Sequence, residues 1–298
     1  MRGRVLVVCA CAVLVAACGT TSVTDVGSGA PSPSPTASGS PSPSSSPSAQ
    51  GGDVLGLIGN WTATGPGVER GTVVTIDADE MRIWTRCGLT SASWDADPSG
   101  LFAADITSWS NDCFTARARW PWAVSAHSWS RASDAVELRA TTGEVTARLE
   151  PGGTPTTGPD VAAELGSPRP LTAEDRRRLG AHPALPPGLA PAAADDLVGT
   201  WVVAPTASAA GVDDLGPGVE VDADGTWSGT DGCNGGDGSW TLGPDGAFIA
   251  TLGPMSAVGC PGPSVPYWMS EARRVGLAGS ALVLVGRDGK ELGRLVRR

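Results

Sequence analysis

Lysine is all but missing: the 298 residues hold one, Lys290. Tyrosine occurs once, histidine twice and phenylalanine three times. Each scarcity excludes a chemistry. A serine–lysine hydrolase needs S-x-x-K, and none can form around Lys290. A Ser–His or Cys–His catalyst has only His127 and His182 to draw on, and His182 falls in a connector rich in Pro and Ala. No G-x-S-x-G elbow occurs, since "GTWSG" (225–229) has the wrong spacing, and no G-x-x-x-x-G-K cradles a phosphate. The net charge of −10 leaves no basic face, so no nucleic-acid partner is expected. There is no C-x-x-C, so no metal site is expected, and no cofactor. The pairs Asp77/Asp79 and Asp222/Asp224 read as polar turns. "DADG" (222–225) opens like a calcium loop but lacks the later ligands. No apolar run is long enough to span a bilayer. These exclusions leave a non-enzymatic protein as the leading expectation.

The one apolar run, "VLVVCACAVLVAA" (5–17), follows Arg2 and Arg4 and ends in "VAAC" (15–18). Small residues before a cysteine predict a lipobox, with Cys18 taking the lipid after residues 1–17 are removed. Residues 18–52 are almost wholly Ser, Pro, Gly, Ala and Thr. Such a segment buries no core and is expected to act as a disordered tether. Together they place the protein outside the cytoplasm, anchored to the cell membrane by its lipid.

Beyond residue 52 the chain repeats itself. "SWDADPSGLF" (93–102) returns as "SWTLGPDGAF" (239–248). "LIGNW" (57–61) returns as "LVGTW" (197–201), "VTIDADEM" (74–81) as "VEVDADGT" (219–226), and "AVEL" (135–138) as "ALVL" (281–284). The landmarks keep one order, which predicts a duplicated domain: residues 53–150 and 197–298, joined by a linker over 151–196. Two copies are too few for a solenoid, so each should own a core. "DPSG" and "GPDG" read as type I turns between strands carrying Trp and Phe. Further hairpins are expected around Gly143 and around Asp288–Gly289. One helix is read over "VPYWMSEARRVGL" (265–277), and a short one in the linker, capped by Thr172 and stopped at Gly180. The fold class expected is mainly β (α+β): two small antiparallel barrel-like domains with about one helix each.

With the signal removed and Cys18 lipidated, four cysteines remain. Duplication pairs them within copies, Cys87–Cys113 and Cys233–Cys260, in an oxidising compartment. Each bridge closes a loop of about 27 residues, worth about 3.5 kcal/mol in the chain-entropy model. Free thiols are the alternative. "RARWPW" (117–122) mixes residue types favoured at binding hot spots. Arg117, Arg119, Trp120 and Trp122 are therefore candidate partner contacts, or a Pro-broken segment that covers the core.

The second copy, from Leu197 to Val296, carries "LVGTW", "GTDGCN" (229–234), "GPMSAVGC" (253–260), a helix with Glu271 and "ALVLVG" (281–286). In this order the motifs resemble the META domain (HslJ-like) family. The first copy is a diverged META-like repeat, with Gly88 where Asn234 stands and Ser108 where Met255 stands. The resemblance implies a compact β-rich fold, an envelope location, no established catalysis, and a link to stress tolerance. The expected partners are the membrane, through the lipid, and an envelope protein, glycan or small ligand. The alternative role is inhibition of an extracytoplasmic hydrolase, a lysozyme or protease.

Overall fold

A computed structural model describes residues 51–110, 120–156, 161–203, 216–256, 258–259 and 262–298. The protein is mainly β, with two curled antiparallel sheets and four short α-helices among the described residues. The first sheet holds β1 (Gly59–Thr64), β2 (Val73–Ile76), β3 (Met81–Thr85), β4 (Gly88–Ala96), β5 (Phe102–Trp109), β6 (Ser128–Ala132), β7 (Ala135–Arg139) and β8 (Val145–Pro151). Their spatial order is 5-4-3-2-1-8-7-6. A linker strand, β9 (Ala190–Pro191), precedes the second sheet. This contains β10 (Gly199–Val203), β11 (Gly218–Val221), β12 (Thr226–Thr230), β13 (Gly235–Leu242), β14 (Phe248–Ala250), β15 (Ala272–Ala278), β16 (Ala281–Gly286) and β17 (Glu291–Arg297). Its order, 14-13-12-11-10-17-16-15-9, repeats the first and adds β9 at the edge.

The repetition extends to single residues. Trp61 lies opposite Val74, and Trp201 opposite Val219. A register shift at Leu138/Arg139 recurs at Leu284/Val285. The bridges Leu101↔Ser128 and Ala247↔Arg274 bring the two ends of each curl together. Along β8, Ala147 and Leu149 point inward while Arg148 and Glu150 point out, the period of two that buries one face. Each copy owns a core, as duplication predicts: Trp61, Ile76, Trp94 and Phe102 in the first, Trp201, Trp227, Phe248 and Leu284 in the second. The repeated Trp–Phe pair is thus structural, and Trp94 stacks on Phe102 with centroids 6.3 Å apart.

Indole nitrogens tie the turns to the strands. Trp61 Nε1 donates to the Leu57 carbonyl at 2.8 Å, and Trp201 Nε1 to that of Leu197 at 2.7 Å. Trp94 and Trp240 donate likewise to the carbonyls of Asp77 and Asp222. "DPSG" closes as expected, with Gly100 N–H donating to the Asp97 carbonyl. "GPDG" does not. Asp245 and Gly246 both have positive φ, and Ala247 N–H donates to the Pro244 carbonyl. Asp-Gly at the centre of a type I′ turn matches the strand twist better, and this overrides proline's preference for the second position.

The helix expected over 265–277 ends early. Val265–Glu271 is helical and Ala272–Ala278 is β15. Val275 and Leu277 pair with Leu284 and Leu282, so a strand buries apolar surface that a longer helix would leave unpaired. In the first copy the corresponding helix is a single turn, Pro121–Val124.

The linker is a strap. Helix Ala173–Arg178 starts at a capping box in which Thr172 and Asp175 satisfy each other's backbone N–H groups. Asn60 and Arg82 donate to the Gly166 and Leu165 carbonyls, at 2.9 and 2.7 Å. Arg169 and Arg178 pair with Asp79. Leu171 and Leu179 join the first core. The strap therefore covers the outer face of β2 and β3, which are buried on both sides. It then crosses to the second copy, where β9 pairs with β15 and shields that edge.

The copies meet through equivalent strands. Leu101 and Ala103 pack on Ala247 and Ile249, the residues 146 positions further on. Thr241 Oγ1 donates to the His127 carbonyl at 3.1 Å. At the matching place, Arg273 donates to Asp95 at 2.5 Å. Asp95 and Thr241 correspond, as do His127 and Arg273. Each contact thus recurs with the two copies exchanged, the pattern of an isologous interface.

Candidate functional site

Cys87 and Cys233 are each disulfide-bonded. Cys113 and Cys260, their expected partners, lie outside the described residues, as do Cys18, Arg117 and Arg119. Beside Cys233 sits the polar cluster of the second copy. Asn234 is buried. Its amide nitrogen donates to Asp231 Oδ2 and to the Val258 carbonyl, both at 2.8 Å. Its carbonyl oxygen accepts from Ser256 Oγ at 2.8 Å and from Val258 N–H at 2.9 Å. Hydrogen bonds from Asn234 hold the Asp231 carboxyl below its ordinary range. One side chain therefore joins the "GTDGCN" turn to the "GPMSAVGC" loop, a wider task than fixing its own turn. Asn234→Ala removes four bonds and leaves buried groups unpaired. We expect a loss of about 2–3 kcal/mol in denaturant unfolding, with Asn234→Asp recovering part of it.

Trp120 and Trp122 are core residues, 1% and 2% exposed. Trp120 Nε1 donates to Thr90 Oγ1 at 3.2 Å. This corrects their assignment as partner contacts: the curl of the first sheet closes over them, and a partner reaching either indole would have to open the core. Of the two readings of "RARWPW", the segment that covers the core describes its Trp residues.

The carboxylate pairs are turn devices. Asp77 accepts from the N–H groups of Asp79 and Glu80 and pairs with Arg82. Asp224 Oδ1 accepts from Thr226 N–H and Oγ1 at 3.0 and 2.6 Å. Among the described residues no three His, Cys, Asp or Glu side chains are placed to hold a metal ion. His127 packs on Gly225, whose positive φ and missing Cβ make room for the ring. Burial pushes the His127 pKa down, and Asp224 pulls against it. His182, on the strap, is pushed down to about 4 by burial and by Arg273. Both histidines are thus half-buried, His127 against the second copy and His182 on the strap.

The surface carries shallow hollows. One of about 670 Å³ is lined by Asn60, Trp61, Arg131, Ser133, Asp134 and Pro151, among others. Arg131 lies over the Trp61 ring at 5.7 Å; in the second copy Arg297, from the position of Pro151, lies over Trp201 at 4.6 Å. Another, of about 420 Å³, is acidic: Asp222, Asp224 and Asp237 line it beside Thr226, Trp227 and Ser228. Sequence reasoning missed the charged residues at the junction, Asp95, Arg273 and Arg287. The available signal was weak: Arg273 lies within a stretch whose spacing also fits a helix.

Fold and clamps together define a duplicated, disulfide-bonded β protein with a strapped junction. No family model matches the chain, and no curated protein matches it. Among solved structures, a DUF4847 family protein from Bacteroides vulgatus aligns with 26% of this chain at 14% identity and a TM-score of 0.23. The alignment spans 56% of that protein's length, and at this score it carries no argument about fold or function.

Proposed function

We propose that the protein is a non-enzymatic envelope lipoprotein, anchored to the membrane at Cys18, which presents two META-like domains on its tether. Its role is binding, or a stress-related function, at the cell surface. The observation that carries this reading is the oxidised state of Cys87 and Cys233. Structural disulfides persist outside the cytoplasm, where the "VAAC" motif would also deliver the chain. The Asn234 clamp supports the family resemblance, because it gives a physical reason for "GTDGCN" and "GPMSAVGC" to occur together. No helix among the described residues is long and apolar enough to cross a membrane, and anchorage is assigned to the lipid. Cys18→Ser is the test. The variant is expected to lose palmitate labelling and either to leave the membrane fraction or to accumulate as precursor. Wild-type labelling and retention would overturn the anchor.

A second reading, inhibition of an extracytoplasmic hydrolase, is favoured by the acidic hollow of Asp222, Asp224 and Asp237. Such a hollow complements a hydrolase with a basic face, and charge complementarity speeds such encounters.

A further inference from the structure

Where the strap crosses the second copy, cations outnumber their partners. The Arg273 side chain has no exposed surface, and among the described residues its one carboxylate partner is Asp95. Both Asp95 oxygens are engaged: Oδ2 accepts from Arg273 and Oδ1 from Ala96 N–H. Arg287, at the turn between β16 and β17, has no hydrogen bond or ion pair among the described residues. The Nε atoms of both arginines are buried and without a partner. Arg274 donates to the Pro183 carbonyl at 2.9 Å, and Pro183 packs over Gly289 in the same turn as Arg287. Arg178 lies near enough for its charge to act on Arg287, while its own guanidinium is held by Asp79. Burial, then the charge of Arg273, pushes the Arg287 pKa down to about 10, against the pull of Asp95 and Glu271. A guanidinium stays protonated under all ordinary conditions, so this pocket of charge persists and carries a desolvation penalty.

We propose that Arg287, backed by Arg273 at the strapped junction, is a seat for an oxyanion of the phosphate class. A planar guanidinium presents two parallel N–H donors that match two oxygens of phosphate, and the surrounding cations add attraction where no described carboxylate pairs with Arg287. Among the described residues the first copy has no such seat, because Thr141 stands where Arg287 would and His127 where Arg273 would. The site is independent of the envelope assignment, since it needs only the junction. The oxyanion is free phosphate or the phosphodiester of a lipid headgroup.

The test is thermal unfolding of the full chain at constant ionic strength, with inorganic phosphate replacing chloride. Tm is expected to rise saturably, by about 3–6 °C at ten times the half-saturating concentration. Arg287→Gln is expected to abolish the rise and, in chloride, to be no less stable than the parent. Arg294→Gln, which removes an exposed arginine paired with Glu291 on β17, is expected to keep the rise. A parallel arm compares sedimentation with phosphatidylglycerol and phosphatidylcholine vesicles, which a lipid anchor would affect alike. No response to phosphate, with a phosphatidylglycerol preference that Arg287→Gln removes, assigns the oxyanion to a headgroup and supports the seat. The proposal is overturned if neither arm responds, or if Arg287→Gln responds as the parent does.

Discussion

Asp95→Ala is expected to lower the unfolding free energy by about 3–5 kcal/mol, because it leaves Arg273 buried with no counter-charge. The guanidinium cannot escape by losing its proton. It must either drag water into the junction or pull the copies apart, and both expose the Leu101–Ile249 cluster. The pair itself need not be strongly stabilising, since desolvation offsets much of its attraction. Asp95→Leu combined with Arg273→Met should therefore recover most of the loss. Guanidinium denaturation of the single and double variants gives the coupling directly. A single variant that loses less than about 1 kcal/mol would show that the pair is solvated in solution.

Trp201→Ala should be comparably severe, at about 3–5 kcal/mol. The indole fills the second core beneath Arg297, and its N–H satisfies the Leu197 carbonyl. The change empties a large volume, orphans that carbonyl and removes the face on which the guanidinium rests. Trp201→Phe keeps much of the volume and loses the hydrogen bond, so it should cost about 1–2 kcal/mol. The ratio of the two losses separates packing from bonding. Because Trp61 holds the same place in the first copy, Trp61→Ala should destabilise that core by a similar amount.

Much of this architecture is legible in the sequence, and duplication is the reason. A single "LVGTW" says little, but "LIGNW" 140 residues earlier marks a place where the fold needs Leu, Gly and Trp at fixed spacing. The structure shows the need: a Gly at the strand start and an indole that bonds the Leu carbonyl. Hairpins around Gly143 and Gly289 are readable because turn residues and alternation agree there. Legibility fails where local and long-range signals compete. Residues 272–277 fit a helix by spacing, and only pairing with β16 makes them a strand. "RARWPW" resembles a contact surface by composition, but the closing curl of the sheet decides that Trp120 and Trp122 lie inside. Asp95 and Arg273 are 178 positions apart, and nothing local marks either as half of a buried pair.

The reciprocal junction bears on how the protein tolerates its surroundings. Two separate chains joined through such a face would obey mass action: diluted, they would part, and each would expose the Leu101 or Ile249 surface together with an unpaired charge. Fusion through the strap replaces that concentration dependence with a fixed effective concentration set by the connection itself. The assembly then stays closed at any copy number. A protein present at low abundance thereby keeps the geometry of a dimer without the concentration that a dimer requires.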